Sequence, residues 1–510
     1  MNFSSIMITD VTASVFGIFI VLFSVLLMIK RIKEKNTNFK QLPGPIGFPI
    51  IGASHIISKY KKPWDAFSDL RKQYGDVYGI QLGSRNCVVV SSLPIIREVL
   101  VNKCNQFGNR PDFLRFHAIF RGDRNYSIAL CDWSSKQKTR RQLAFPFMHP
   151  KARSFGSSRM DQYIRTEMKE LIQSLALVQD QIIEPRFYLL IATANIFYQF
   201  LCSKSYSRED PEFCNIVKIY DVVFRELFQG FAVDFMPWLK VFNVMKIYRL
   251  KKLAANVSKF TETIFEEHEK DFDSEHPRDL VDILLQHIHE NSKDNGDLTR
   301  EDVGIIVEDL LGGHSVLGNL WLWGLYFLAD YPEIRMKIRN EVTKVTKNIR
   351  YPSLDDRSSM PYTYATILEL IRIISSPIIP HVASCDTEIQ GYHVRKNSLV
   401  MFNTCDLNLD PELWEKPRTF NPERFINEEG KIQKPNHFLP FSTGKRTCLG
   451  DGLVKATLFL GMSTLLQCFD IVLPPDTPGP DIYDVPGLVI PREEIKLIFR
   501  ATPNLSDMSE

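Results

Sequence analysis

The chain has 510 residues, enough for two or three ordinary domains or one unusually large one, so length alone leaves the domain count open. A formal net charge of +2 points away from nucleic acid or any other polyanion as a partner. Nine cysteines stand singly with no Cys-x-x-Cys pair, which argues against a zinc module or a disulfide framework and fits reduced, cytosol-facing thiols.

Val11 to Ile29 is an uncharged run of 19 residues rich in Val, Ile, Leu and Phe, about what a helix needs to cross a bilayer. A cleaved signal peptide is the rival reading, but the run is long and its basic residues follow it. Asp10 precedes the run and Lys30, Arg31, Lys33 and Lys35 follow it, so the positive-inside bias predicts a cytosolic chain on the endoplasmic reticulum membrane. The expected organisation is an anchor over 1–29, a basic and Pro/Gly-rich linker over 30–52, and a single domain over 53–510.

Tyr74–Leu82 and Asn86–Val90 read as two strands on either side of Gly83. Phe107 to Leu130 is turn-rich, and in the helix predicted next Trp133 and Arg140, seven apart, return to one face. Lys136, Lys138, Arg140 and Arg141 equally describe a solvated basic face. Helices are expected from about 155 to 290. Within that span Phe224, Phe228, Phe231, Phe235, Trp238 and Phe242 form a stripe that is either core or the roof of an apolar pocket. Thr299 and Asp302 predict a capping box for a helix over about 300–330, which contains Gly312-Gly-His-Ser-Val-Leu-Gly318. Each glycine costs a helix about 1 kcal/mol relative to Ala, and close approach of a flat ligand is one reason to keep them. Asp330-Tyr-Pro-Glu333 predicts a capped start for the next helix. Glu369 and Arg372 pair at i and i+3, and Leu458, Met462, Leu465 and Phe469 predict a buried C-terminal helix.

Phe441-Ser-Thr-Gly-Lys-Arg-Thr-Cys-Leu-Gly450 sets one cysteine among glycines and basic residues. An isolated cysteine is ordinarily a small buried hydrophobe. Here Gly444 and Gly450 permit tight turns and Arg446 puts positive charge beside Cys448, as a thiolate metal ligand requires. Phe441, Gly444, Arg446, Cys448 and Gly450 match the haem signature F-x-x-G-x-R-x-C-x-G, and from about Leu42 to Phe499 the chain resembles the cytochromes P450. The resemblance implies a mainly α fold with small β-sheets, one large haem domain behind a transmembrane helix, and haem b bound through Cys448. It further implies that Trp133, Arg140 and His381 contact haem propionates. Glu369 and Arg372, with Arg424 of Phe420-Asn-Pro-Glu-Arg-Phe425, would form a buried ion-pair group that braces the cysteine loop.

The family's oxygen-side pattern, small-Gly-x-acid-Thr, falls on Gly312, Gly313, His314, Ser315 and Val316, so the usual acid and alcohol are both missing. Gly313, His314, Ser315 and Val316 are the expected catalytic segment. Either His314, Ser315 and water relay protons there, or the reaction is not a standard hydroxylation. The sequence has no Rossmann or flavin motif, and the resemblance implies electrons from NADPH through NADPH-cytochrome P450 reductase. Arg110–Phe116, Gly122–Trp133 and Gly312–Ser315 resemble the spook and spookier branch of the arthropod Halloween P450s. That branch implies an apolar sterol substrate, a 7-dehydrosterol on the route to ecdysteroids. A P450-fold isomerase or dehydratase independent of dioxygen, and a haem sensor or carrier without turnover, are the alternatives.

Overall fold

The computed structural model describes residues 40–150, 154–229, 232–291, 298–483, 487 and 489–504. The expected anchor lies outside the described residues, and among the described residues no helix is long and apolar enough to cross a membrane.

Strands are short. In chain order they are β1 (Val77–Leu82), β2 (Arg85–Val90), β3 (Ile182–Ile183), β4 (His381–Val382), β5 (Thr387–Ile389), β6 (Tyr392–Val394), β7 (Leu399–Phe402), β8 (Phe469–Val472) and β9 (Leu497–Ala501). The first sheet runs β1-β2-β7-β4, with Val88 of β2 opposite Val400 of β7 in parallel register and His381 opposite Val400 on the other edge. The N-terminal hairpin therefore carries a strand from the last third of the chain, and through it His381. A second sheet joins β3, β9 and β8, and β5 and β6 form a separate hairpin.

The longer helices are α1 (Pro63–Tyr74), α2 (Ser135–Met148), α3 (Phe155–Ala176), α4 (Arg186–Cys202), α5 (Pro211–Gln229), α6 (Val244–Lys270), α7 (Leu280–Asn291), α8 (Arg300–Leu311), α9 (Gly313–Asp330), α10 (Pro332–Thr346), α11 (Pro361–Ile374) and α12 (Asp451–Cys468). Their apolar faces meet in one large core that includes Phe197 of α4, Trp321 of α9, Leu370 of α11 and Phe459 of α12. Small residues set the spacing. A Cβ on Gly318 would stand 2.9 Å from Leu190 of α4, and one on Gly461 would stand 2.4 Å from the Trp321 ring.

The helix expected over 300–330 divides at Gly312, where the Ser315 N–H donates to the Gly312 carbonyl at 3.2 Å and tightens one turn. The predicted capping box is present, since Thr299 Oγ accepts from the Asp302 N–H while the Asp302 carboxylate accepts from the Thr299 N–H at 2.8 Å. Asp330 ends α9 instead of capping α10, whose first residue is Pro332 and whose N-cap is Tyr331. Phe469, predicted in the C-terminal helix, opens β8.

Candidate active site

The cysteine loop is closed by its own backbone. The Cys448 N–H donates to the Phe441 carbonyl at 2.9 Å, and Thr447 Oγ1 donates to the same oxygen at 3.2 Å. Gly444 holds φ at +74°, and a Cβ there would lie 2.1 Å from the Leu100 carbonyl oxygen, so the turn admits only glycine. The Gly450 N–H donates to Cys448 Sγ at 3.3 Å and α12 begins at Asp451, which puts the sulfur at a helix N-terminus where a thiolate is favoured. Burial pushes the thiol pKa up, opposed by the Gly450 N–H and the Arg141 charge. Cys448 still keeps accessible surface. A sulfur that is accessible yet enclosed deeply enough to feel burial faces an internal space.

Basic side chains from distant segments converge beside this loop. Arg446 donates from Nε and Nη2 to the Gly108 carbonyl at 2.9 and 2.8 Å and also to the Cys131 carbonyl, which leaves Nη1 without a partner. His381 donates from Nδ1 to the Phe107 carbonyl at 2.6 Å, and its Nε2 is buried without a partner. Arg110 donates to the Ala129 and Ile379 carbonyls at 3.0 and 2.8 Å. Arg141 donates to the Thr447 carbonyl inside the cysteine loop. Burial, then repulsion from Arg446, lowers the pKa of Arg110 well below its ordinary value and that of Arg141 to about 10. His381 is pushed far down by burial and then by the Arg110 charge. Among the described residues, none of these three arginines makes an ion pair with a carboxylate. Buried cations without counter-ions are costly, so the cluster calls for an anionic group. Haem would fit here: Cys448 would ligate its iron, and Arg110, Arg141, Arg446 and His381 would hold its propionates.

The structure separates the pair expected on one helical face. Trp133 precedes α2, whose N-cap is Ser134, and its ring lies beneath Lys445 Nζ at 4.5 Å and the Arg446 guanidinium at 5.4 Å. Arg140 turns the other way, to Asp302 at the start of α8 and to the Asn125 carbonyl. Arg141, one residue on, is the arginine of this helix that reaches the cysteine loop. The basic face is also smaller than expected. Lys136 pairs with Asp302 at 2.7 Å and Arg140 is buried, while Lys138 is exposed.

Glu369, Arg372 and Arg424 are joined. The Arg372 guanidinium donates twice to the Glu369 carboxylate at 2.7 and 2.8 Å, both residues fully buried, and Arg424 Nε reaches the same carboxylate at 3.1 Å. Arg372 also donates to the Asn408 carbonyl and lies 5.1 Å from the Trp414 ring, which ties α11 to the segment leading into the cysteine loop. A recess of about 400 Å³ between Leu413 and Pro435 lies beside this triad, away from Cys448.

On the α8–α9 side, the expected proton relay has other partners. Ser315 Oγ donates to Asp221 of α5 at 3.0 Å, and Asp221 also accepts from Asn319 at 3.0 Å and from Arg186 of α4 at 2.6 Å. His314 donates from Nδ1 to the Leu311 carbonyl at 2.7 Å between the rings of Phe197 and Tyr220, and burial pushes its pKa down to about 4. Both side chains thus face α4 and α5 and hold the helices together. The glycines have the same purpose. A Cβ on Gly312 would lie 2.4 Å from the Phe224 ring and one on Gly313 2.9 Å from the Phe197 ring, so aromatic side chains, not a flat ligand, occupy the close approach. Val316 stays partly accessible and brings no titratable group.

The match to known proteins agrees with this architecture. Residues 42–499 match the cytochrome P450 family, and the chain belongs to it. It is 36% identical to cytochrome P450 307a1 of Drosophila melanogaster over 482 residues, covering 87% of this chain and 88% of that one. It is 31% identical to a steroid 17-alpha-hydroxylase/17,20 lyase of Ictalurus punctatus, covering 95% and 96%, and 30% identical to cytochrome P450 1A5 of Gallus gallus, covering 87% of each. The protein is therefore a P450 enzyme of the monooxygenase kind, a class that uses haem and draws electrons from a redox partner.

Proposed function

We propose that the chain is a haem-thiolate monooxygenase or oxidase of an apolar sterol, a 7-dehydrosterol in ecdysteroid synthesis. Its electrons come from NADPH through NADPH-cytochrome P450 reductase. The observation that carries the haem chemistry is the accessible Cys448 sulfur beside arginines that lack counter-ions. Bound haem supplies the oxidising chemistry. The chain's own residues do the rest: Cys448 provides the thiolate, while Arg110, Arg141, Arg446 and His381 hold the propionates. The Glu369–Arg372–Arg424 group keeps the cysteine loop in register. Two further observations support the substrate class. One relative acts on steroids by its name, and Gly313 and Val316, both partly accessible, carry no charge.

The enzyme works at the endoplasmic reticulum membrane, with the catalytic domain on the cytosolic side. Ile46, Phe48 and Ile50 are exposed, as are Trp238, Phe242 and Met245. The two groups lie on adjoining segments, since Gly52 bridges Leu82 and the Ser84 N–H donates to the Phe235 carbonyl at 2.8 Å. Exposed apolar side chains on adjoining segments suit a bilayer.

The test is turnover of a 7-dehydrosterol by the full chain with reductase and NADPH. Product that requires both is the expected result, and no turnover across a sterol panel would sink the substrate assignment. The absence of a hydroxyl at Val316 favours one second reading, an isomerase or dehydratase, which product formation without reductase would reveal.

A further inference from the structure

Two opposite charges from different helices bear on the sulfur of Cys448. On one side Arg141 of α2 donates from Nη2 to the Thr447 carbonyl, one residue before the ligand. Burial, then repulsion from Arg446, brings its pKa down to about 10, which still leaves it charged at neutral pH. None of the groups that shift it is a carboxylate, and among the described residues it makes no ion pair. Arg446 is nearer in sequence but turns its guanidinium to the Gly108 and Cys131 carbonyls. On the other side stands Asp451, the first residue of α12. Its carboxylate does have a counter-ion, Lys455 one turn along the helix, whose Nζ also lies 4.8 Å over the Phe441 ring. Burial raises the Cys448 thiol pKa and the Gly450 N–H lowers it; the charges that act on it are Asp451, which raises it, and Arg141, which lowers it. One charge beside the ligand is thus paired and the other is not.

We propose that Arg141 sets the reduction potential of the haem-thiolate centre: its unpaired charge, held against the cysteine loop, makes the iron easier to reduce, and Asp451 opposes it. This rests on the haem-thiolate reading above. Reduction takes Fe(III) to Fe(II) with one electron from the redox partner, and it leaves the centre one unit more negative. A cation beside the sulfur stabilises that reduced form and an anion destabilises it. The cation also draws electron density from the sulfur and weakens its bond to iron. Arg141 is accordingly a tuning residue that acts through Cys448, and it governs how readily the chain accepts its first electron. The charge comes from α2, so the potential depends on how that helix is docked on the cysteine loop.

The experiment is a redox titration of the haem-loaded full chain, with resonance Raman of the iron–sulfur stretch recorded on each variant. Arg141→Gln keeps a donor for the Thr447 carbonyl but loses the charge. It is expected to shift the equilibrium about 10-fold toward the oxidised form, a fall of about 59 mV, and to raise the stretching frequency. Asp451→Asn is expected to move both readings the opposite way, and Lys455→Gln to move them as Arg141→Gln does. Arg141→Lys, which restores the charge, is expected to stay within about 2-fold of wild type. Unchanged potentials, or shifts of the same sign in Arg141→Gln and Asp451→Asn, would overturn the inference alone. So would a lower potential in Arg141→Gln with an unmoved stretch, because an arginine that acts only on a propionate has that signature. If Arg141→Gln fails to bind haem, the opposite signs expected of Asp451→Asn and Lys455→Gln decide the matter. Absence of the red-shifted band from reduced, CO-bound wild type would overturn the haem-thiolate reading and this inference with it.

Discussion

On the cysteine side of the site, ten consecutive residues form the loop, and its support comes from charge. Arg446 reaches back to Gly108, Arg141 to Thr447, and a fully buried carboxylate grips Arg372 and Arg424. On the α8–α9 side the working surface is a sparse line on a long helix, and support comes from close packing: glycines against Phe197 and Phe224, and a serine and an asparagine on Asp221. The first arrangement depends on specific polar partners held from distant segments. The second can change its chemistry while keeping its shape, and that is where this chain departs from the family pattern.

The contrast can be broken, or made sharper, in order of effect. Cys448→Ser should abolish the red-shifted band of the reduced, CO-bound difference spectrum and all turnover; retention of the band would refute thiolate ligation. Glu369→Gln should cost about 3 to 5 kcal/mol by stranding Arg372 without a counter-charge, measured as a drop in the urea unfolding midpoint. A pH test addresses the helix side. His314 has its pKa near 4 in the folded chain against 6.5 ordinarily, so the unfolded chain takes up the proton first. Stability contributed by the neutral ring should therefore be intact above about pH 6.5 and fall as pH drops toward 4, by up to ~3 kcal/mol. His314→Gln should flatten that part of the slope in urea unfolding at pH 7 and pH 4.5. Gly312→Ala should cost about 1 to 3 kcal/mol because the Phe224 ring must move, with the CO spectrum unchanged. Lys138→Glu, on an exposed side chain of α2, should leave stability within about 0.5 kcal/mol and raise the reductase concentration needed for half-maximal turnover.

The same contrast explains what could be read from the chain. The cysteine loop was legible because its constraints are contiguous: a positive φ, a tight turn and a ligand within ten residues. The capping box at Thr299 and the hairpin about Gly83 were legible for the same reason. Arg110 and Arg141 were not, since each acts on a partner hundreds of positions away, and an arginine in a basic run looks alike whether it points inward or outward. For Arg141 the one signal was the run of basic residues from Lys136 to Arg141. The glycines were legible as exceptions, but their reason was not, because Phe197 and Phe224 meet them only after α4 and α5 have packed.

The parallel pairing of β2 with β7 has a consequence for the order in which the molecule is made. Ribosomes deliver the hairpin and the Phe107–Cys131 loop early, yet the groups these segments serve come much later: His381 stands 274 positions after Phe107, and Arg446 stands 338 after Gly108. Contacts of such separation repay their loop-closure entropy only when both ends exist. A nascent chain that stops short of the cysteine loop lacks the sulfur and Arg446 together, and its early arginines have nothing to hold. The groups that would hold the cofactor can therefore meet only once the chain has been made as far as the cysteine loop.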